Sequence, residues 1–443
     1  MRFVKTLYSL IVAGALAVGC NHKAPPVVPT SPVVEEKKSE QKSYKPVRND
    51  VIGPLKEYVY AQYDIALHDR RDDLPEIEKK MVAALNAAGM SDTTIQQIKD
   101  SKDAKQLEDF FAEQGLTFRN MVTIGSRGYE LFKIDSIEKK EMTLFGTVQK
   151  YTKTRITEKS LIDNSFTYEA EKRNLKISGV TGLHVRGTDR IEYRVYQDED
   201  LADRYFEGVT KQGDALEAES KNPELLEKLL GSGKKINEKL CDRLGTVLHY
   251  MGVRDIYRQS KDKNEFRQKV LPIWEREIEI HEVTHCMDSF EFDKALMNKL
   301  SKENRLLLNI ETVVHMEARS LVSELCHDNE FAKPYPDYEY KILGDLFKSL
   351  AGDEPGKVNE HQKAAKLILS GLLNHIYTNK DEYPELNITQ ADPQDGTNLG
   401  AVCSRFVLLK PAQIRKLSRT LFDQLYEGKT LKELMHRRGN GLK

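Results

Sequence analysis

Residues 281–285 read His281-Glu282-Val283-Thr284-His285. On a helix, residues four apart stand one above the other on the same face, so both imidazoles can reach one small cation. Glu282 then projects beside them, toward a water held by that cation. Two neutral imidazole nitrogens suit zinc, which lowers the pKa of its bound water to about 7, where an adjacent carboxylate can take the proton. The chemistry such a pentad can do is metal-assisted hydrolysis.

A helix must present these side chains, and the flanks predict one. Trp274, Ile278, His281, His285 and Asp288 recur at spacings of three and four, no Gly or Pro interrupts residues 273–291, and Pro272 suits a first helical turn. Catalytic zinc takes three protein ligands and keeps one position for water. The third ligand is sought on a second helix, 304–326, whose apolar arc comprises residues 306, 307, 308, 310, 313, 314, 318, 321, 322 and 325. At about 100° per residue, Glu317 and Glu311 both project roughly 60° from the centre of that arc, with Glu324 further off and His315 near its edge. Glu317 is favoured, because small Ala318 and Ser320 beside it leave room for close helix packing; Glu311 is the alternative. Asp288 is either a surface acid or a group that orients His285. An oxyanion donor is open among His315, Arg319, Tyr335, Tyr338, His375 and Tyr377.

His285 is followed by Cys286-Met287-Asp288-Ser289-Phe290, without a nearby third His. Together with the later run Glu317-Ala318-Arg319-Ser320, the HEVTH pentad resembles the gluzincin zinc metallopeptidases. The resemblance is confined to these two helices. It implies Zn2+ held by His281, His285 and Glu317, Glu282 as general base, and a peptide or protein substrate. Glu279 departs from the pattern, being charged where an uncharged residue is usual.

The N-terminus makes a separate statement. Arg2 and Lys5 precede an apolar run from Leu7 to Val18, which ends in Leu16-Ala17-Val18-Gly19-Cys20. This resembles a bacterial lipoprotein signal, which implies removal of residues 1–19, lipidation of Cys20 and a place in the cell envelope, at the outer membrane or cell surface. Losing Arg2 and Lys5 leaves a slightly acidic chain, so membrane attachment would rest on the acyl chains. Residues 20–50, with Pro25, Pro26, Pro29, Pro32 and Pro46, read as anchor and extended tether.

The remainder predicts an α+β fold. Residues 51–118 are helical in pattern, with Pro75 in a first turn, Ile77, Met81, Leu85 and Ala88 along one face, a break at Gly89 and a new start at Ser91-Asp92-Thr93. Residues 119–199 predict a small antiparallel sheet of four to six strands. The period of two shows in Met142, Leu144, Gly146 and Val148, in Phe166, Tyr168 and Ala170, and in Ile191, Tyr193 and Val195, with a hairpin turn at Gly187-Thr188-Asp189. Residues 200–443 predict a mainly α-helical, zincin-like catalytic domain.

Composition bounds what such a chain can be. It has 443 residues, with 68 basic against 69 acidic side chains, which argues against a nucleic-acid binder. Besides Cys20, Cys241, Cys286, Cys326 and Cys403 are an even set that an oxidising compartment can pair or leave as buried thiols. Cys286–Cys326 is disfavoured if Glu317 meets His285, because Cys326 then lies about 13 Å further along its helix. The rival reading of the whole chain is a non-catalytic surface lipoprotein that binds a partner or polymer, with HEVTH structural or incidental.

Overall fold

The computed structural model describes residues 52–53, 74–100, 115–123, 126–156, 182–184, 189–230, 238–326, 335–351, 360–387, 399–426 and 429–442. The signal, the tether and the expected strand at Phe166–Ala170 lie outside them. Among the described residues, no helix is long and apolar enough to cross a membrane.

Two short helices come first, α1 (Leu74–Ala87) and α2 (Asp92–Asp100). Met81 and Leu85 are fully buried, and Gly89 at φ 85° ends the first helix in a left-handed conformation that glycine adopts without steric cost. The sheet follows: β1 (Leu116–Thr123), β2 (Ser126–Leu144), β3 (Thr147–Ile156), β4 (Gly182–His184) and β5 (Arg190–Arg194). Its order is β1-β2-β3-β5-β4. The pairs β1–β2, β2–β3 and β4–β5 are antiparallel, but β3 pairs with β5 in parallel. The sheet is therefore mixed, which corrects the all-antiparallel expectation. A period of two reports which face a side chain takes and is silent about strand direction.

A second correction falls within Met142–Val148. Phe145 (φ 51°) and Gly146 (φ 79°) are the two central residues of a tight hairpin turn between β2 and β3, so the alternation spans two strands. Phe145 stacks on Phe422, with ring centroids 3.8 Å apart, and the Arg419 guanidinium lies 5.1 Å from the centre of its ring. The hairpin tip is thereby docked on the helical part of the molecule.

Helices make up the rest: α3 (Val195–Lys221), α4 (Pro223–Leu230), α5 (Glu238–Arg258), α6 (Lys263–Asp288), α7 (Lys294–Lys299), α8 (Lys302–Cys326), α9 (Glu339–Ala351), α10 (Glu360–Thr378), α11 (Leu399–Ser404), α12 (Pro411–Tyr426) and α13 (Leu431–Gly441). Val195, expected in a strand, opens α3 instead. The α+β class holds. One large apolar core joins α3 to α13, and Gly252 and Gly344 let α5 and α9 cross closely within it. A Cβ at Gly344 would lie 2.2 Å from His249, and one at Gly252 would lie 2.5 Å from the Lys341 amide.

Helix α6 positions the pentad. Asp262 caps it by accepting from the amides of Asn264 and Glu265, and the helix runs through Pro272 to Asp288. Pro272 thus lies inside the helix and not at its first turn. The sheet packs on one side of α6, where Met142, Leu144, Tyr151 and Ile191 meet Ile280 and Val283 in a small core. Glu279 faces the sheet as well. Its buried carboxylate accepts from the Tyr151 hydroxyl and pairs with Arg276 (3.0 Å), Lys140 (3.2 Å) and Lys153 (3.5 Å). Burial would raise its pKa, but those three cations hold it at about 2. The charge that departed from the sequence pattern therefore ties the pentad helix to the sheet.

Candidate metal centre

On the other side of α6, His281 and His285 stack one turn apart with their rings nearly perpendicular. Their Nε2 atoms are 3.1 Å apart. Helix α8 crosses here and brings Glu317 between them, with Oε2 3.6 Å from His281 Nε2 and Oε1 3.7 Å from His285 Nε2. Among the described residues these three side chains form a group able to hold a metal ion, their ligand atoms all within 4.8 Å of one another.

The opposite ring nitrogens are held too. His281 Nδ1 contacts the Glu324 carboxylate, and Ser320 Oγ lies 3.2 Å from His285 Nδ1. Glu317, Ser320 and Glu324, at i, i+3 and i+7, share one face of α8. With an acceptor on His281 Nδ1, the proton belongs on that nitrogen and the lone pair on Nε2, facing the centre. This is the arrangement in which ligating histidines are normally oriented.

The donor set fits zinc. A tetrahedral ion with bonds of about 2.0–2.2 Å places its ligand atoms about 3.3–3.6 Å apart; the two Nε2 atoms are 3.1 Å apart, and with one atom taken from each residue the three lie within 4.8 Å of one another. Glu317 Oε2 is a buried oxygen with no well-aligned hydrogen bond. Burial opposes ionisation of Glu317, yet the imidazoles of His281, His285 and His361 beside it hold its pKa well below the carboxylate range. Burial likewise opposes a charged His281, but Glu324 and Glu317 draw its pKa well above the usual value. A proton and a metal ion would compete for the same Nε2 atom.

Glu282 is buried beside the cluster, close enough that its charge also raises the His281 pKa. His361, the second residue of α10, brings a third imidazole, its Nδ1 3.1 Å from Glu317 Oε2.

The other candidates are engaged elsewhere. Glu311 is gripped by Arg438 through two hydrogen bonds of 2.8 and 2.9 Å. Asp288 is neither a surface acid nor the partner of His285. It is buried against Arg319 at 2.6 Å, and burial pushes its carboxyl up to about 7 against the pull of that guanidinium. Ser320 takes the place beside His285. Arg319 is thus committed to Asp288, Tyr338 donates to Glu277, and His315 packs near Tyr426. Cys241, Cys286, Cys326 and Cys403 are all free thiols, and burial pushes Cys286 up to about 12.

Glu324 and His361 were not singled out as site residues from the sequence. Glu324 carries a signal in retrospect, since the i+7 spacing puts it two turns from Glu317 on the same face of α8. His361 carries none, since only the packing of α10 on α8 brings it there.

No protein-family model matches the chain, and no curated protein or solved structure matches it significantly.

Proposed function

We propose that this chain is a zinc-dependent peptidase of the gluzincin kind, tethered to the cell envelope through a lipidated Cys20. The observation that carries the reading is the convergence of His281 Nε2, His285 Nε2 and the Glu317 carboxylate from two different helices, with the outer nitrogens of both histidines held by Glu324 and Ser320. Bound there, zinc would acidify a water and polarise a carbonyl for amide hydrolysis. Glu282, on the same turn of α6 as the ligands, is the group to take the proton from the attacking water and pass it to the leaving amine. The Glu279 ion pairs fix the helix against the sheet, so the pentad is set on a rigid support.

The second reading is a structural metal site without catalysis, and one observation favours it. All three ligand side chains are largely buried, at 19% exposed for His281, 11% for His285 and 15% for Glu317. Two measurements separate the readings. Elemental analysis of the purified chain should give one zinc per molecule. A peptide library should be cleaved by the wild type and left intact by Glu282→Gln with zinc retained. Zinc without cleavage of any peptide supports the structural reading, and a folded chain that takes up no zinc overturns both.

A further inference from the structure

We propose that His361 is a positioning residue for Glu317, its Nδ1 paired with Oε2 at 3.1 Å so that the carboxylate stays turned toward the two Nε2 atoms that would share a metal ion. This rests on the reading of the cluster as a metal centre. Glu317 reaches the centre on a side chain whose last torsion, the rotation of the carboxylate plane, is broad and weakly restrained. Among the described residues no lysine or arginine forms an ion pair with it; its ion-pair partners are His281, His285 and His361. The first two are ligands in the proposed centre, so their nitrogens would face the metal and not the carboxylate. His361 Nδ1, 3.1 Å from Oε2, is the contact that remains once they do. A carboxylate only accepts, so Nδ1 is the donor.

Placement separates this role from core packing. His361 is 58% exposed, against 11–19% for the three cluster side chains. It enters from the first turn of α10, a helix packed against α8, and so reaches the carboxylate from an element that carries none of the three ligands. Its imidazole adds little to the buried core, and it forms an ion pair with Glu317. Hydrogen-bond partners of ligating groups typically change metal affinity 10- to 100-fold when removed.

The test is zinc affinity of the full chain, measured with zinc alone in competition with a chromophoric chelator. His361→Asn places an amide N–H near the position of Nδ1, whereas His361→Gln places it near Nε2. His361→Ala and His361→Gln should bind zinc about 10- to 100-fold more weakly. His361→Asn should stay close to the wild type, and all three should keep the wild-type unfolding midpoint without metal. Ala binding zinc as tightly as wild type, or Asn losing as much as Ala, overturns the role while leaving the centre standing. A wild-type chain that takes up no zinc overturns the centre, and this role with it.

Discussion

Glu277 and His281 stand one turn apart on α6, yet the polar groups around them are completed in different ways. Glu277 is buried at 2.7 Å from Lys341 Nζ and accepts from the Tyr338 hydroxyl. Lys341 also reaches Asp345 at 2.8 Å, and Asp345 is 2.8 Å from His249 Nε2. Asp345 and Glu277 hold the Lys341 pKa well above its usual value although burial opposes the charge. Lys341 thus has a carboxylate on either side, although burial pushes the Glu277 carboxyl up to about 8. Around His281 the carboxylates of Glu317 and Glu324 converge on imidazoles, and among the described residues neither makes an ion pair with lysine or arginine. Buried charges persist when paired or when they coordinate a metal. The first cluster is ion-paired by protein groups alone; on the proposed reading, a divalent cation would complete the second.

The largest test breaks the closed cluster. Lys341→Met leaves Glu277 and Asp345 facing each other without their shared cation, and removing one partner of a buried pair costs about 3–5 kcal/mol. Urea unfolding at neutral pH should show that loss. A variant as stable as the wild type would mean the cluster is not held by charge pairing.

Next comes the open cluster. Zinc at 100 times its Kd should stabilise the wild type by about 2.7 kcal/mol if it binds only the folded chain, and a chelator should reverse the gain. His285→Ala and Glu317→Gln should lose the increment, while Lys341→Met should lose stability with or without zinc. An unfolding midpoint that zinc leaves unmoved in the wild type would erase the contrast between the two clusters.

A smaller effect concerns the sheet side of the same helix. Tyr151→Phe removes a buried hydroxyl from the Glu279 carboxylate but leaves Lys140, Lys153 and Arg276 in place. Hydrogen bonds to charged groups contribute about 1.5–3 kcal/mol, so a loss near the lower end is expected in the denaturation midpoint. Zinc content should stay that of the wild type. A loss of zinc would show that the sheet sets the ligand geometry as well as the support.

The placing of both histidines on one helical face was legible from their spacing, and the structure brings Glu317 from α8 beside them. What spacing could not resolve was the face of α8 that meets α6. The apolar arc read from the sequence merges two faces. Leu308, Ala318, Leu321, Val322 and Leu325 are buried in the core, whereas Leu306 and Val313 are largely exposed and lie on the line that continues into Glu317 and Glu324. Merging them moved the apparent centre of the arc toward Glu317 and Glu324 alike, so the arc could not separate the two. The parallel β3–β5 pairing and the approach of His361 are tertiary facts, set by which elements pack together, and no local period encodes them. Asp288 misled for a related reason: one turn beyond His285 is correct helical geometry, but Arg319 from α8 competes for it and wins with a buried ion pair at 2.6 Å.

The smallest effect tests the choice that the sequence left open between Glu311 and Glu317. Both carboxylates lie on α8, and they differ in their partners. Glu311 is satisfied by a forked Arg438 guanidinium whose side chain is 40% exposed, and such pairs contribute about 0.2–1 kcal/mol. Among the described residues, the ion-pair partners of Glu317 are all imidazoles. Glu311→Gln should therefore cost at most that amount and keep one zinc per chain, whereas Glu317→Gln should lose zinc at the same concentration. Zinc lost from Glu311→Gln instead would mean that Arg438 releases Glu311 to the centre when metal binds, and the distinction between a paired carboxylate and a ligating one would no longer follow from their ion-pair partners.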